Sequence, residues 1–226
     1  MKIKQIMLLL LIVAFGSCDK PQLRMTNSFV DSRDGRSYRI MTIGTQTWMG
    51  ENLQYDSPES IVNPNNPSEN YGRLYHWKDL MNNSSAHTPI SGHKQGICPD
   101  GWHIPSDGEW TTLEILHGMD PKDSISTNVY RGNTANVLKS KTGWVDKPID
   151  KDDNGIDSLG FNGLPAGSSR SDRIPAGIGE QALFWSSSLS KDRHPFTRVL
   201  GVYPYTNMGR SASYETTYLS CRCLQD

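Results

Sequence analysis

Few residues in this chain could do chemistry, and the cysteines come first. Cys18 follows the short basic start Met1-Lys2-Ile3-Lys4, a nearly unbroken apolar run from Ile6 to Phe15, and the small pair Gly16-Ser17. That order of charge, apolar core, small residues and cysteine is a bacterial lipoprotein signal, too short for a stable membrane span. Cleavage is expected before Cys18, which would become the acylated first residue, carrying palmitate-type chains. Two or three acyl chains anchor far better than one. The mature protein is therefore expected on a membrane surface of the cell envelope, at the outer membrane, without spanning it. Cys98, Cys221 and Cys223 remain. In an oxidising compartment they make one disulfide and one odd thiol. Cys221 and Cys223 share a face in a strand, and a Cys-x-Cys bridge is strained, so Cys98 pairs with one or the other. Zinc held by the three cysteines with a nearby His is a rival use, disfavoured by the lack of a CxxC pair.

Asp150, Asp152, Asn154 and Asp157 alternate around Gly155 as oxygen ligands do in a flexible calcium loop. The twelfth position is Phe161 where such a loop needs a bidentate Glu, so a solvated acidic turn fits better and calcium is the weaker alternative. The six His, at 76, 87, 93, 103, 117 and 194, show no metal-ligand spacing. His103 beside Trp102 reads as a satisfied core histidine. With no paired nucleophile and base visible, no catalytic residue is assigned and a non-enzymatic protein is expected. Tyr55, Tyr203 and Tyr205 fall in expected loops, where their rings could stack on sugar faces or on a partner protein. The plainer reading is scattered surface aromatics. Tyr203 and Tyr205 are the weak ligand-binding candidates.

Positioning these residues needs a scaffold. The 226 residues divide into a signal (1–17), a lipidated cysteine with a polar tether (18–30) and one domain (31–226). Without 1–17 the chain carries 21 Lys and Arg against 24 Asp and Glu, formally −3 with no basic run, so no nucleic-acid partner is expected. Six Trp, nine Tyr and 20 Gly at a mean hydropathy of −0.57 describe a loop-rich domain pinned by aromatic anchors. Ser37 to Ile43 is β-rich, Gly44-Thr45 turns, and Gln46 to Leu53 returns with Trp48 and Met49 as anchors. Residues 56–70, with prolines at 58, 64 and 67, read as an irregular loop. Tyr75 to Met81 predicts a short helix. Ser106 and Glu109 form a capping box for the best-signalled helix, with Trp110, Leu113 and Leu116 at helical spacing and Gly118 as its stop. A shorter helix is predicted over Thr134 to Ser140. Strands are predicted at Leu183 to Ser187, Thr197 to Tyr203 and Tyr214 to Cys223. The class is α+β, short helices around a small, mainly antiparallel sheet.

Several stretches together resemble one family. They are Asp31 to Tyr38 (DSRDGRSY), Ile43 to Leu53 (IGTQTWMGENL), Tyr71 to Trp77 (YGRLYHW) and Cys98 to Trp110 (CPDGWHIPSDGEW). Later come Gly160 to Gly167 (GFNGLPAG), Phe184 to Ser188 (FWSSS) and Cys221-Arg222-Cys223. From about residue 30 to its end the chain resembles the Fibrobacter succinogenes major paralogous domain, a family of envelope and secreted proteins whose activity is not established. The resemblance implies a C-type-lectin-like fold, which also houses formylglycine-generating enzymes. It also implies a disulfide from Cys98 to Cys223, leaving Cys221 extra. Trp102, Trp110 and Trp185 read as core anchors and Glu109 as a helix cap. Calcium-dependent sugar lectins of that fold carry Glu-Pro-Asn or Gln-Pro-Asp and a later Trp-Asn-Asp, which this sequence lacks at the corresponding places. The expectation is a lipid-anchored surface binding or adhesion module for glycan or protein. The alternatives are a formylglycine-generating-type or related oxidase and a structural subunit of a surface complex.

Overall fold

The computed structural model describes residues 28–63, 71–82, 93–146, 152–202, 204 and 207–226. Alternation along the first hairpin already shows how the domain is layered. Strands β2 (Ser37–Ile43) and β3 (Gln46–Met49) pair antiparallel, with Gly44 at φ 62° in the turn. Ile40 faces Met49 across the ladder and Met41 faces Trp48. Successive residues point to opposite faces of a sheet. Tyr38, Ile40 and Met49 accordingly join one hydrophobic cluster, whereas Met41, Ile43 and Trp48 join a second. The sheet therefore lies between two cores.

Strand β1 (Ser28–Val30) pairs with β2, Phe29 opposite Tyr38. The last three residues expected in the tether are thus part of the first sheet, because the Phe29 ring packs on Trp102 at 5.1 Å. In chain order there follow β4 (Ile61–Val62), β5 (Arg73–Tyr75), α1 (Trp77–Leu80), β6 (Trp102–His103), α2 (Asp107–Leu116), β7 (Val129–Arg131), α3 (Ala135–Leu138), β8 (Ser168–Ser169) and β9 (Pro175–Ala176). Then come β10 (Gln181–Leu189), β11 (Pro195–Gly201), β12 (Met208–Ala212), β13 (Leu219–Ser220) and β14 (Leu224–Gln225). One sheet has the order β1-β2-β3-β14-β6 and the other β4-β5-β13-β10-β11-β12-β7, with β8 and β9 a separate pair. The pairings are antiparallel except β10 with β13. The domain is β-rich with a few short helices. No helix among the described residues is long and apolar enough to cross a membrane.

Strand β10 repeats the two-core pattern: Ala182 and Phe184 enter the second cluster, while Trp185 and Leu183 meet the first. Helix α2 starts as its sequence dictates. Ser106 Oγ accepts the Glu109 N–H at 3.2 Å, and Glu109 Oε2 accepts the Ser106 N–H at 2.7 Å. Its Trp110 packs against Trp48 at 4.7 Å and Phe184 at 5.6 Å, and donates Nε1–H to the carbonyl of Trp185. Trp102, Trp110 and Trp185 are all buried. Leu116, expected on the buried stripe, is exposed and lies against the β2–β3 turn; Glu114 takes the buried position instead. The reason is electrostatic. Glu114 Oε2 binds Arg131 Nε at 2.8 Å and Oε1 binds Arg198 Nε at 2.5 Å, and all three residues are buried. Arg198 also meets Asp107 at 2.8 Å, and Asp107 holds Arg210 at 2.7 Å. This chain of charges bolts α2 onto the seven-stranded sheet.

Candidate functional site

Four adjacent strands of the second sheet build a groove. Leu183 on β10 lies opposite Val199 on β11, Val199 opposite Gly209 on β12, and Gly209 opposite Tyr130 on β7. One row therefore crosses the sheet, and Gly209 makes its low point. A Cβ there would come within 3.1 Å of both Tyr130 Cε1 and Val199 Cβ, so the glycine is what lets the ring lie against the strand. The polar rim consists of Gln181, Asn128 and Ser211, around a cavity of about 240 Å³. Ser211 Oγ is 3.0 Å from Asn128 Oδ1. Arg210 is fixed by Asp107 below the floor and stacks on Phe196 at 3.9 Å. Burial pushes the Asp107 carboxyl up, but Arg210 and Arg198 outweigh it and hold the group below the ordinary carboxylate range.

A second cluster forms where β6 meets the start of α2. The rings of His93 and His103 stack at 4.0 Å with 7° between their planes. Both Nδ1 atoms face Asp226 Oδ1, at 3.4 Å from His93 and 2.7 Å from His103. Both Nε2 atoms face Glu109 Oε1, at 3.8 and 2.9 Å. Carboxylates only accept hydrogen bonds, so buried His103, flanked by two, is in surroundings that favour the protonated ring. Burial alone would lower its pKa; Glu109 and Asp226 more than offset this and raise it. Glu109 is lowered in turn: burial opposes the shift, while His103 and the Ser106 N–H drive it. Glu109 is thus both helix cap and histidine partner. The spacing of the histidines in sequence gave no hint of this, because it is the bridge from Lys94 to Ile104 that sets His93 beside β6.

The cysteines define a third feature. Cys98 and Cys223 form a disulfide with Cα atoms 6.0 Å apart, and Cys221 is a buried free thiol. The three sulfurs lie within 4.8 Å of one another. Burial pushes the Cys221 thiol up to about 12, against a small opposing pull from Arg222, so it is not a ready nucleophile. Arg222 is itself buried. It donates to Asn52 Oδ1 at 2.6 and 3.1 Å and to the carbonyls of Met49 and Phe161, and it stacks on the Phe161 ring at 4.2 Å. Burial lowers its pKa to about 9.

The other residues singled out from sequence fare differently. Cys18, Asp150, Tyr203 and Tyr205 lie outside the described residues. The remaining calcium candidates have separate tasks and do not converge. Asp152 Oδ1 accepts from the backbone and side-chain amides of Asn154, which hold its pKa down. Asn154 Oδ1 accepts the Trp144 N–H at 3.2 Å, and Asp157 Oδ1 accepts the Asn162 N–H at 2.7 Å. Burial raises the Asp157 carboxyl, which disfavours the anion a cation needs. The segment is a set of side-chain-capped turns. Tyr55 is half-buried, with Arg33 stacked on its ring at 3.9 Å.

Residues 41–225 match the Fibrobacter succinogenes major domain, and the chain belongs to that family. Searches of curated proteins and of solved structures found no match.

Proposed function

We propose that the protein is a lipid-anchored component of the bacterial cell envelope, at the outer membrane, whose domain acts by binding a glycan. The observation that carries this is the row Leu183–Val199–Gly209–Tyr130 with its rim of Gln181, Asn128 and Ser211. An aromatic ring beside amides and a hydroxyl suits a sugar, which offers a C–H face for stacking and hydroxyls for directed hydrogen bonds. The cavity volume suits a single ring more than a folded partner. The scaffold reading behind this is C-type-lectin-like. It draws support from the last strand, β14, pairing with β3 near the start of the domain, and from the disulfide that closes the same end. The anchor reading draws on the sequence before Cys18.

A glycan array with the purified full-length chain tests the proposal. Wild type is expected to retain a defined glycan class. Tyr130→Ala and Gln181→Ala are expected to lose it with thermal unfolding nearly unchanged. Calcium removal is expected to have no effect, because the Asp152–Asp157 turns are closed by their own amides. No retained glycan, or retention unaffected by both substitutions, sinks the reading.

A further inference from the structure

We infer that His93, His103 and Asp226 form a binding site for one divalent transition ion of the zinc class, independent of the groove. Their candidate ligand atoms lie within 4.8 Å of one another. A tetrahedral zinc ion with bonds of about 2.0–2.1 Å sets its ligands about 3.3 Å apart. His93 Nδ1 and Asp226 Oδ1 are already 3.4 Å apart. His103 Nδ1 and Asp226 Oδ1 are closer, at 2.7 Å, the length of a hydrogen bond whose proton an ion would replace. Replacing that proton by the ion widens the gap, and Asp226, nearly half-exposed, has room to move.

The surroundings of His103 are those of a metal-binding imidazole. A ligating histidine commonly donates its other ring N–H to a carboxylate, which fixes the tautomer and raises the basicity of the ligating nitrogen. His103 Nε2 meets Glu109 Oε1 at 2.9 Å, and Glu109 is itself immobilised by the N–H and hydroxyl of Ser106. The capping box therefore presents His103 Nδ1 toward Asp226. Glu109 is a positioning residue and not a ligand. His93 must turn. Two parallel rings aim their lone pairs along parallel lines, so they cannot meet at one ion while stacked. The side chain of His93 is 57% exposed, against 2% for His103, so the mobile partner swings and the buried one stays. Three protein ligands leave a fourth position for water or an anionic group, the arrangement of an open zinc site.

Titration of the purified full-length chain with Zn²⁺ and then Co²⁺ tests this. One saturable ion per chain is expected, with visible d–d bands of a four-coordinate nitrogen–oxygen site for Co²⁺. His93→Ala, a change at an exposed side chain, is expected to leave metal-free thermal unfolding unchanged and to weaken binding by about tenfold or more. Asp226→Asn is expected to weaken it similarly. Glu109→Gln retains a cap acceptor but removes the carboxylate behind His103, and is expected to weaken binding by about 10–100-fold. Absence of saturable binding in wild type overturns the inference. So does an ion that binds His93→Ala or Glu109→Gln as tightly as wild type.

Discussion

Glu114→Gln is the substitution that most directly tests how the sheet and helix are joined. Glu114 is the only side chain that touches both Arg131 and Arg198 through carboxylate oxygens among the described residues, at 2.8 and 3.1 Å to the former and 2.5 Å to the latter. Each hydrogen bond to a charged group is worth about 1.5–3 kcal/mol. Gln keeps the shape but has one acceptor. If its carbonyl serves Arg198, its NH₂ faces the donors of Arg131, and the reverse holds if it turns over. Either Arg131 is then left buried with only its carbonyl contacts to Asp123, Ser124 and Ser126, or Arg198 is left with Asp107 and without the Glu114 carboxylate. The net cost is that of breaking a buried ion pair, about 3–5 kcal/mol. With a urea m-value of about 2 kcal/mol/M for a small domain, the unfolding midpoint falls by about 2 M. Equilibrium urea unfolding followed by tryptophan fluorescence measures it, since Trp110 sits one turn away on α2. A double-mutant cycle with Arg131→Met should return a coupling on the order of 1–3 kcal/mol. A midpoint loss corresponding to less than about 1 kcal/mol, or additive changes in the cycle, would refute the claim that these charges are desolvated together.

Three further outcomes are expected. Cys98→Ala/Cys223→Ala opens a bridge with a sequence separation of 125 and is expected to cost up to about 5 kcal/mol in the chain-entropy model, read as a lowered thermal midpoint; no change would show that the link constrains nothing. Asp107 has a lowered folded-state pKa, so its contribution is present above its unfolded value near 3.8 and is lost as pH falls through the folded one. Acid unfolding of wild type should therefore be steeper below that pH than for Asp107→Asn, and parallel acid curves would count against the pairing with Arg198 and Arg210. Cys18→Ala is expected to abolish incorporation of labelled fatty acid and to release the protein from membranes, and unchanged partition would remove the anchor.

What the sequence discloses and what it hides follow from the range of each interaction. The β2–β3 hairpin and the capped start of α2 depend on residues within a few positions of one another, and both stand where pattern and cap residues place them. Short strands such as β5, β6 and β7 were not legible, since two or three residues carry no period; they exist because β13, β14 and β12 lie beside them. Tyr214 to Cys223, read as one strand, breaks into turn, β13 and a link to β14, in which the Cys221 carbonyl accepts the Leu53 N–H and the Cys223 carbonyl accepts the Met49 N–H. Nothing local marks Glu114 as buried, because its partners are 17 and 84 positions away. The histidine cluster was hidden for the same reason: Asp226 reaches His103 across 123 positions, and only the β14–β6 ladder brings them together. One signal was available, the six-residue spacing of His103 and Glu109 across a helix cap, but the cap alone accounted for the carboxylate.

The family blocks are largely buried, and that bears on where ligand choice resides. Trp102, Trp110, Trp185 and Arg222 fill the two cores, Cys98 and Cys223 close them, and Glu109 caps α2. Each is held by packing or by backbone partners, so a change there acts first on the fold. The groove residues Asn128, Tyr130, Gln181, Gly209 and Ser211 all fall outside the blocks that carry the family resemblance, on β7, β10 and β12 and at their ends. They can vary in size and polarity without disturbing the cores, provided Gly209 stays small enough for the residue at 130 to cross it. The blocks of this chain thus build its two cores, and under the proposed function ligand choice rests with a handful of positions on one sheet face. On that reading, two members with the same blocks would differ in the molecules they bind. Exchanging the residues at 128, 130, 181 and 211 between such members should move binding preference with them and leave stability behind.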